Sequence, residues 1–103
     1  MRTEVTCSRG RTLVRSGSAL AEVRVDDDVV DVHFSTPAGH QPTDVRSSLV
    51  AAVFDLPELR TSRLLRATVP LGDAELLIQV RRRCPSARSR AAGASCLVDA
   101  PLH

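Results

Sequence analysis

Residues 19–34 place the tightest constraint on the fold, because apolar and polar side chains alternate on both sides of an acidic turn. Successive side chains of a strand point to opposite faces, so a hairpin with Asp27-Asp28 as its two-residue loop sorts them by polarity. Its apolar face then carries the pairs Val25–Val30, Val23–Val32 and Ala21–Phe34. Its polar face carries the pairs Arg24–Asp31 and Glu22–His33. A slip of one residue would turn one strand's apolar side chains to the wrong face, so the sequence predicts the hairpin in this register.

A helix is predicted directly after the hairpin, over residues 43–54. Thr43 is a suitable N-cap, and Asp44 places a negative charge in the first turn, where the helix dipole favours it. Apolar residues recur at helical spacing and predict one buried stripe, formed by Val45, Leu49, Ala52, Val53 and Leu56. Pro57 ends this helix, and residues 58–60 are compatible with a short turn.

The remaining elements extend the hairpin and cover it. Strands are predicted over residues 12–15, 63–69 and 95–99, and residues 1–10 form either an edge strand or a frayed end. A second helix is predicted from Ala74 to about Cys84, where Pro85 ends it, with a wide apolar arc that includes Ile78. Residues 86–93 are interpreted as a loop and residues 100–103 as a tail. This β-β-β-α-β-α-β order predicts an α+β fold. We expect a two-layer sandwich, in which a mixed, mainly antiparallel sheet of about five to six strands carries two helices on one face.

Length, charge and cysteine content narrow the class of protein. The 103 residues suffice for one domain, residues 1–103, and a net charge of +2 is too balanced to indicate nucleic-acid binding by itself. No apolar run approaches the roughly 20 residues that span a membrane, and the N-terminus lacks the apolar segment of a secretion signal. Three widely spaced cysteines, Cys7, Cys84 and Cys96, form no disulfide framework, so we expect a cytoplasmic protein with buried thiols.

The sharpest charge feature is a group of five arginines, which are Arg81, Arg82, Arg83, Arg88 and Arg90. Guanidinium groups bind carboxylates and phosphates in a bidentate manner, which suits an acidic partner. The helix dipole accounts only for the cations in the last helical turn, so Arg88 and Arg90 are the stronger indication. Nucleic acid is the less favoured partner, because no aromatic residues for base stacking lie between the arginines. The structural alternative is a helix end followed by a solvated loop.

Weaker candidates for a metal site and a nucleophile each have a simpler explanation. The hairpin tip and its strand carry a group of metal-binding residue types, namely Asp26, Asp27, Asp28, Asp31 and His33. A charged turn needs no metal, and a site requires three or four converging ligands. A cysteine–histidine pair could be assembled only by the fold, from His33 or His40 and from Cys7, Cys84 or Cys96. Since no local signature supports such a pair, buried structural thiols are the simpler interpretation.

Gly39 precedes the first helix, where a strand-to-helix turn can bind an anion. Asp44 already occupies the positive end of this helix and would repel a phosphate group. We therefore predict no catalytic residue, metal or cofactor, and the arginines at positions 81–90 remain the candidate partner-binding or anion-binding residues.

From residue 19 to residue 99, the order of elements resembles the central part of the GCN5-related N-acetyltransferase (GNAT) family. The predicted hairpin leads to a helix, and the next strand ends in Val69-Pro70-Leu71-Gly72-Asp73 and feeds the helix that starts Ala74-Glu75-Leu76-Leu77. The segment Ala91-Ala92-Gly93-Ala94-Ser95-Cys96-Leu97-Val98 stands where the family places a further strand. In that family, an Arg/Gln-x-x-Gly-x-Gly/Ala loop before the first of these helices holds the pyrophosphate of acyl-CoA.

This chain departs from the family pattern at the cofactor loop. Its turn reads Thr36-Pro37-Ala38-Gly39-His40-Gln41-Pro42-Thr43-Asp44, and the loosely similar Arg90-Ala91-Ala92-Gly93-Ala94 precedes a strand instead of a helix. The chain has no tyrosine to act as the family's acid, and the N-terminal helices that shape the acceptor site are missing. The resemblance therefore implies a reduced relative that has lost cofactor binding.

These observations favour a small cytoplasmic interaction or accessory module that is not an enzyme and acts on an unknown protein partner. The alternative is a reduced GNAT-like acyl-CoA-binding protein or acetyltransferase. The second alternative is a weak nucleic-acid binder that uses residues 81–90. A homodimer formed through an exposed face or edge of the sheet is also compatible with the sequence.

Overall fold

The computed structural model describes residues 3–36 and 43–102, apart from the side chain of Thr43. The strands within these residues are β1 (Thr3–Ser8), β2 (Arg11–Ser16), β3 (Ala19–Asp26), β4 (Val29–Ser35), β5 (Leu64–Pro70), β6 (Arg88–Ala92) and β7 (Ser95–Pro101). The helices are α1 (Thr43–Phe54), α2 (Pro57–Thr61) and α3 (Ala74–Arg83). The predicted Thr43 cap and the loop residues Gly39 and His40 lie outside the described parts and stay predictions. None of the described helices is long and apolar enough to cross a membrane.

The predicted hairpin is confirmed in β3 and β4. The three apolar pairs and the two charged pairs all stand in the predicted register. Asp27 has a φ of 59°, a left-handed conformation that aspartate tolerates better than most residues in a two-residue turn. Val25 lies at the open end of this apolar face and is 44% exposed, because it lines an open cleft at the hairpin tip.

All described strands join one sheet in the order β1-β2-β3-β4-β5-β7-β6. β4 and β5 are parallel because α1 and α2 connect them, and the other neighbouring pairs are antiparallel. The mixed, mainly antiparallel α+β sandwich is confirmed. The predicted count of five to six strands is too low, since the sheet has seven. β1 resolves the open question about residues 1–10, where an edge strand forms and turns into β2 at Arg9-Gly10.

β6 lies inside the segment that was predicted as a loop, residues 86–93. Gly93 adopts a φ of 63° and starts a two-residue turn, which folds Arg88–Ala92 back along β7. All side chains of β6 are exposed, so no alternation of polarity marked this strand in the sequence. The loop prediction is therefore wrong at its centre, and Arg88 and Arg90 stand on an edge strand.

The helices pack on one face of the sheet, with α1 against β2 and β3 and in contact with α3. α1 buries Val45, Leu49, Val50 and Val53, whereas Ala52 of the predicted stripe is only half-buried. The prediction of two helices is one too few, because residues 57–61 continue into the short helix α2, with Pro57 as its first residue. α3 buries a narrower stripe than predicted, and Ile78 is 49% exposed.

The two faces of the sheet differ sharply in polarity. The face under the helices supplies the buried side chains Val14, Ala21, Val23, Val30, Val32, Phe34, Leu65, Ala67, Val69, Val98 and Ala100. The opposite face is called the outer face here. Its central side chains are Glu22, Arg24, Asp31, His33, Arg66, Thr68, Leu97 and Asp99. No described helix covers the outer face, so charges there meet solvent while the helices seal the core.

Candidate functional site at the ends of β4 and β5

The parallel strands β4 and β5 stop pairing before they end. Their register runs from Val29–Leu64 to His33–Thr68, and the last residues of the two strands are not paired with each other. β5 stays attached to β7 up to Pro70, so the unpaired ends belong only to the seam between β4 and β5. This seam is called the strand-end gap. It is formed by Phe34–Ser35 on one side and Val69–Pro70 on the other.

Asp73 ties together the elements that surround the strand-end gap. Thr36, directly after β4, donates its hydroxyl hydrogen to Asp73 Oδ2 at 2.8 Å. Arg46 of α1 donates from Nε to Oδ1 and Oδ2 of Asp73 at 2.7 and 2.9 Å. Asp73 also caps α3, because its Oδ1 accepts the backbone N–H of Leu76 at 3.1 Å. These four groups are called the Asp73 cluster, and they connect the end of β4, the first turns of α1 and the start of α3.

Burial and hydrogen bonding act in opposite directions on Asp73. Burial alone raises the pKa of the carboxyl group, whose side chain is 7% exposed. The hydrogen bonds from Arg46, Leu76 N–H and Thr36, together with the positive charge of Arg46, more than offset this effect and hold the pKa below its ordinary value. Asp73 is therefore ionised at neutral pH and serves as a fixed anion.

The Asp73 cluster offers no free catalytic base. The carboxylate already accepts four hydrogen bonds, so no lone pair remains in a favourable direction for proton abstraction. Arg46 uses only its Nε on Asp73, and its terminal Nη groups are the part of the guanidinium that this carboxylate leaves available.

The structure divides the five predicted arginines between two sides of the molecule. Arg81–Arg83 end α3 on the helix side, and the Arg83 guanidinium lies 5.9 Å from the centre of the Phe54 ring. Arg88 and Arg90 stand opposite Asp99 and Leu97, so they belong to the outer face. Among the described residues, Arg81, Arg82, Arg88 and Arg90 form no ion pair. Their part in binding stays a prediction.

The acidic hairpin tip assembles no metal-binding cluster within the described residues. Asp31 and His33 share the outer face, as expected from their spacing, but they alternate there with positive groups. Glu22, which stands opposite His33, instead accepts a hydrogen bond from Arg11 at 2.8 Å and one from Arg24 at 3.3 Å. The hydrogen bond from Arg11 is the main reason that the pKa of Glu22 is lowered.

The cysteines lie apart from the described histidine. Cys84 and Cys96 are buried, and burial raises the pKa of the Cys84 thiol. Cys7 is exposed on β1 beside a cleft of about 470 Å³ at the hairpin tip. Its Sγ lies 3.6 Å from the Thr12 hydroxyl, which in turn donates to Glu58 Oε2 at 2.6 Å. His33 points to the outer face, so the candidate cysteine–histidine pair does not form among the described residues.

Sequence reasoning missed the Asp73 cluster, although part of it has a local signal. Asp73 directly precedes a helix, which is typical of an N-cap residue. Arg46 is not part of the predicted buried stripe of α1, and Thr36 belongs to the turn predicted before that helix. Nothing local indicates that either one contacts Asp73, because they are separated from it by 27 and 37 positions.

No protein-family model matches the chain, and no curated protein matches it either. Solved structures do match. A protein from Sphaerobacter thermophilus assigned as an acetyltransferase matches with a TM-score of 0.58 and 9% identity, over 86% of this chain and 65% of that one. A protein from Klebsiella pneumoniae assigned as an acyl-CoA N-acyltransferase matches with a TM-score of 0.61 and 14% identity, over 90% of this chain and 72% of that one.

A third match is yncA from Salmonella typhimurium, assigned as an acetyltransferase and solved with its cofactor acetyl-CoA. Its TM-score is 0.58 at 14% identity, over 91% of this chain and 66% of that one. The chain thus spans about two thirds of the length of these three proteins. The predicted resemblance is confirmed at the level of the fold: the chain has a GNAT-like architecture.

Proposed function

We propose that this protein binds an acyl-coenzyme A at the strand-end gap, as a reduced member of the GNAT-like structural group. The single observation that carries the proposal is the early end of pairing between β4 and β5, at His33–Thr68. It leaves backbone groups of Phe34–Ser35 and Val69–Pro70 without a partner across that seam. An extended amide-containing chain such as pantetheine can hydrogen-bond to strand backbone in the manner of an added strand.

The Asp73 cluster supports the anionic part of such a ligand. The first turns of α1 carry the positive end of the helix dipole, and Arg46 adds a cation whose Nη groups are not used by Asp73. A pyrophosphate beside α1 would meet both. Asp44, which is exposed in the first turn, opposes this attraction, so we expect the affinity to be modest.

The proposal is for binding rather than group transfer. The chain has no tyrosine, and the carboxylate beside the strand-end gap is fully hydrogen-bonded. The wider activity of the longer neighbours, including any acceptor substrate, is not needed for this proposal.

Isothermal titration calorimetry and thermal unfolding with acetyl-CoA test the proposal. A ligand at 100 times its dissociation constant stabilises the folded state by roughly 2.7 kcal/mol, which raises the melting temperature by several degrees. Ser35→Trp places a large ring at the strand-end gap and should abolish the heat of binding. Ser89→Trp is the matched control, because Ser89 is an exposed strand serine on β6, and it should bind normally. Absence of binding to the unmodified protein at millimolar acetyl-CoA contradicts the proposal.

A second candidate function is the interaction module. It is supported by Arg81, Arg82, Arg88 and Arg90, which are exposed and form no ion pair with any described residue. Exchange of Arg88 and Arg90 for Ser should then abolish capture of an acidic protein partner from lysate. Unchanged capture would remove this candidate. Nucleic-acid binding through residues 81–90 predicts instead retention on an RNA column that falls steeply with salt.

A further inference from the structure

The outer face carries a row of alternating charges across four neighbouring strands. In register, Arg24 on β3 stands next to Asp31 on β4, then Arg66 on β5, then Asp99 on β7. This set is called the charged row. All four residues are exposed, and adjacent strands lie about 4.8 Å apart, so the charge changes sign at every step across the sheet.

Three of the four charges of this row have no ion-pair partner among the described residues. Arg24 contacts Glu22 at 3.3 Å, whereas Asp31, Arg66 and Asp99 form no ion pair with any described residue. Open hollows of about 150 and 330 Å³ lie between their side chains, and both hollows are lined by Asp31 and Arg66. The outer face thus offers unpaired groups of both signs, with room for side chains of another molecule between them.

An alternating row is complementary to itself under two-fold symmetry. Consider an axis parallel to the strands that passes over the seam between β4 and β5. It brings Asp31 of each copy opposite Arg66 of the other, and Arg24 of each copy opposite Asp99 of the other. The next pair along the same seam is apolar, and it brings half-buried Val29 opposite half-buried Leu64 of the second copy. Because sheets are twisted, the match is best for the groups nearest the axis, which are Asp31, Arg66, Val29 and Leu64.

We propose that the outer face binds a second copy of this chain, in an isologous dimer centred on the seam between β4 and β5. The contact is face to face, so β1 and β6, the two edges of the sheet, take no part in it. It lies on the side of the sheet opposite the helices and does not depend on acyl-CoA binding. Because its attraction is largely between exposed charges, the dimer weakens as salt is added.

Sedimentation equilibrium of the unmodified protein gives the first test. At about 0.01 M salt, where charges act over about 30 Å, the expected mass is twice the 11.1 kDa of one chain. At about 1 M salt, where the range falls to about 3 Å, the mass returns to 11.1 kDa. A mass of 11.1 kDa in low salt at about 1 mM chain, or a dimer that ignores salt, overturns the proposal.

Two charge reversals give the decisive test. Two-fold symmetry predicts that each reversal alone abolishes the dimer and that a mixture of the two variants restores it. Asp31→Arg alone and Arg66→Asp alone should each abolish the dimer, since each places like charges opposite one another twice. A mixture of the two variants should restore a one-to-one heterodimer, in which both central contacts again join opposite charges. If the mixture stays monomeric, or if either variant alone still dimerises, the proposal is wrong.

A control separates this result from general charge effects. Arg82→Asp makes the same change of charge as Arg66→Asp, but at an exposed position on α3 that is away from the outer face. It should leave the dimer intact. Circular dichroism of each variant shows whether it is folded. The heterodimer test remains decisive because both variants must fold to form it. Loss of the dimer in Arg82→Asp would indicate attraction by net charge and would overturn the assigned surface.

Discussion

The Asp73 cluster and the charged row of the outer face both consist largely of aspartate and arginine, but they differ in burial and in pairing. Asp73 and Arg46 are nearly buried and joined by two hydrogen bonds, at 2.7 and 2.9 Å. Asp31 and Arg66 are exposed, stand next to each other in the sheet and form no ion pair within the described parts of the chain. The same chemical groups therefore hold elements of the fold together in one place and remain available to another molecule in the other.

The cause of the difference is the environment on each side of the sheet. Near α1 and α3, water is excluded, so an unpaired charge would be costly and the chain supplies every donor that Asp73 needs. On the outer face, water solvates each charge, and forming an intrachain pair there gains little. In this protein, the contribution of an ion pair to stability therefore depends on how deeply the pair is buried.

The largest effect is expected from Asp73→Ala. This change removes the acceptor of four hydrogen bonds and leaves the guanidinium of Arg46, whose side chain is 14% exposed, without its carboxylate. We expect the free energy of unfolding to fall by about 3 kcal/mol, measured by urea denaturation. Asp55→Ala is the matched control, because Asp55 pairs with Arg60 at 2.9 Å and both side chains are exposed to solvent. Its loss should stay within about 0.5 kcal/mol, and equal losses in both variants would contradict the comparison.

A smaller effect is expected when both charges of the buried pair are removed together. Asp73→Asn combined with Arg46→Met leaves no lone buried charge, and asparagine still caps α3. We expect a loss of about 1–2 kcal/mol, less than the sum of the two single changes. Urea denaturation of the two single variants and the double variant completes the cycle. Simple additivity would show that Arg46 and Asp73 do not stabilise each other.

The pH dependence of the free energy of unfolding should distinguish the contribution of Asp73 from that of exposed carboxylates. Because the pKa of Asp73 is lowered in the folded state, its stabilising contribution is complete above the ordinary pKa of an aspartate. That contribution is lost as the pH falls through the lower, folded value. Asp73→Asn should therefore unfold with a flatter profile on the acidic side, as measured by urea denaturation at several pH values. Profiles that run parallel for the variant and the unmodified protein would contradict this assignment.

The smallest effect is expected from Arg66→Gln on the outer face. Arg66 is exposed and forms no ion pair with any described residue, so the free energy of unfolding in 1 M salt should change by no more than about 0.5 kcal/mol. The same variant should weaken the low-salt dimer, as measured by sedimentation. A loss of several kcal/mol in the monomer would mean that Arg66 supports the fold as Arg46 does.

Features with a local signal in the sequence were predicted correctly, whereas features that arise only from pairing with a distant segment were missed. The β3–β4 hairpin was predictable to the residue, because polarity alternates along both strands and one register satisfies both faces. β6 was missed because Arg88–Ala92 has no β-branched residue and no buried side chain, and it becomes a strand only by pairing with β7. The buried residues of α1 were predicted correctly except at one position. Val50 is buried and Ala52 is only half-buried, which corresponds to a small rotation of the helix on the sheet.

The candidate site was harder to predict than the fold. Asp73 has the position of an N-cap, but its contacts with Thr36 and Arg46 exist only once α1 and α3 are packed side by side. The strand-end gap depends on where two parallel strands stop pairing, and no residue type marks that point. The predicted arginines were divided by the fold between two sides of the sheet, which a reading of charge density along the chain does not reveal.

Amide chemical-shift mapping by NMR during a titration with acetyl-CoA tests the central claim most directly. If acyl-CoA binds at the strand-end gap, saturable shifts should concentrate at Phe34, Ser35, Leu71 and Gly72, next to the unpaired ends of β4 and β5. The amides of Arg24 and Asp99 at the two ends of the charged row should stay unchanged. Shifts confined to the outer face or the hairpin-tip cleft, or no shifts at millimolar acetyl-CoA, would contradict the account.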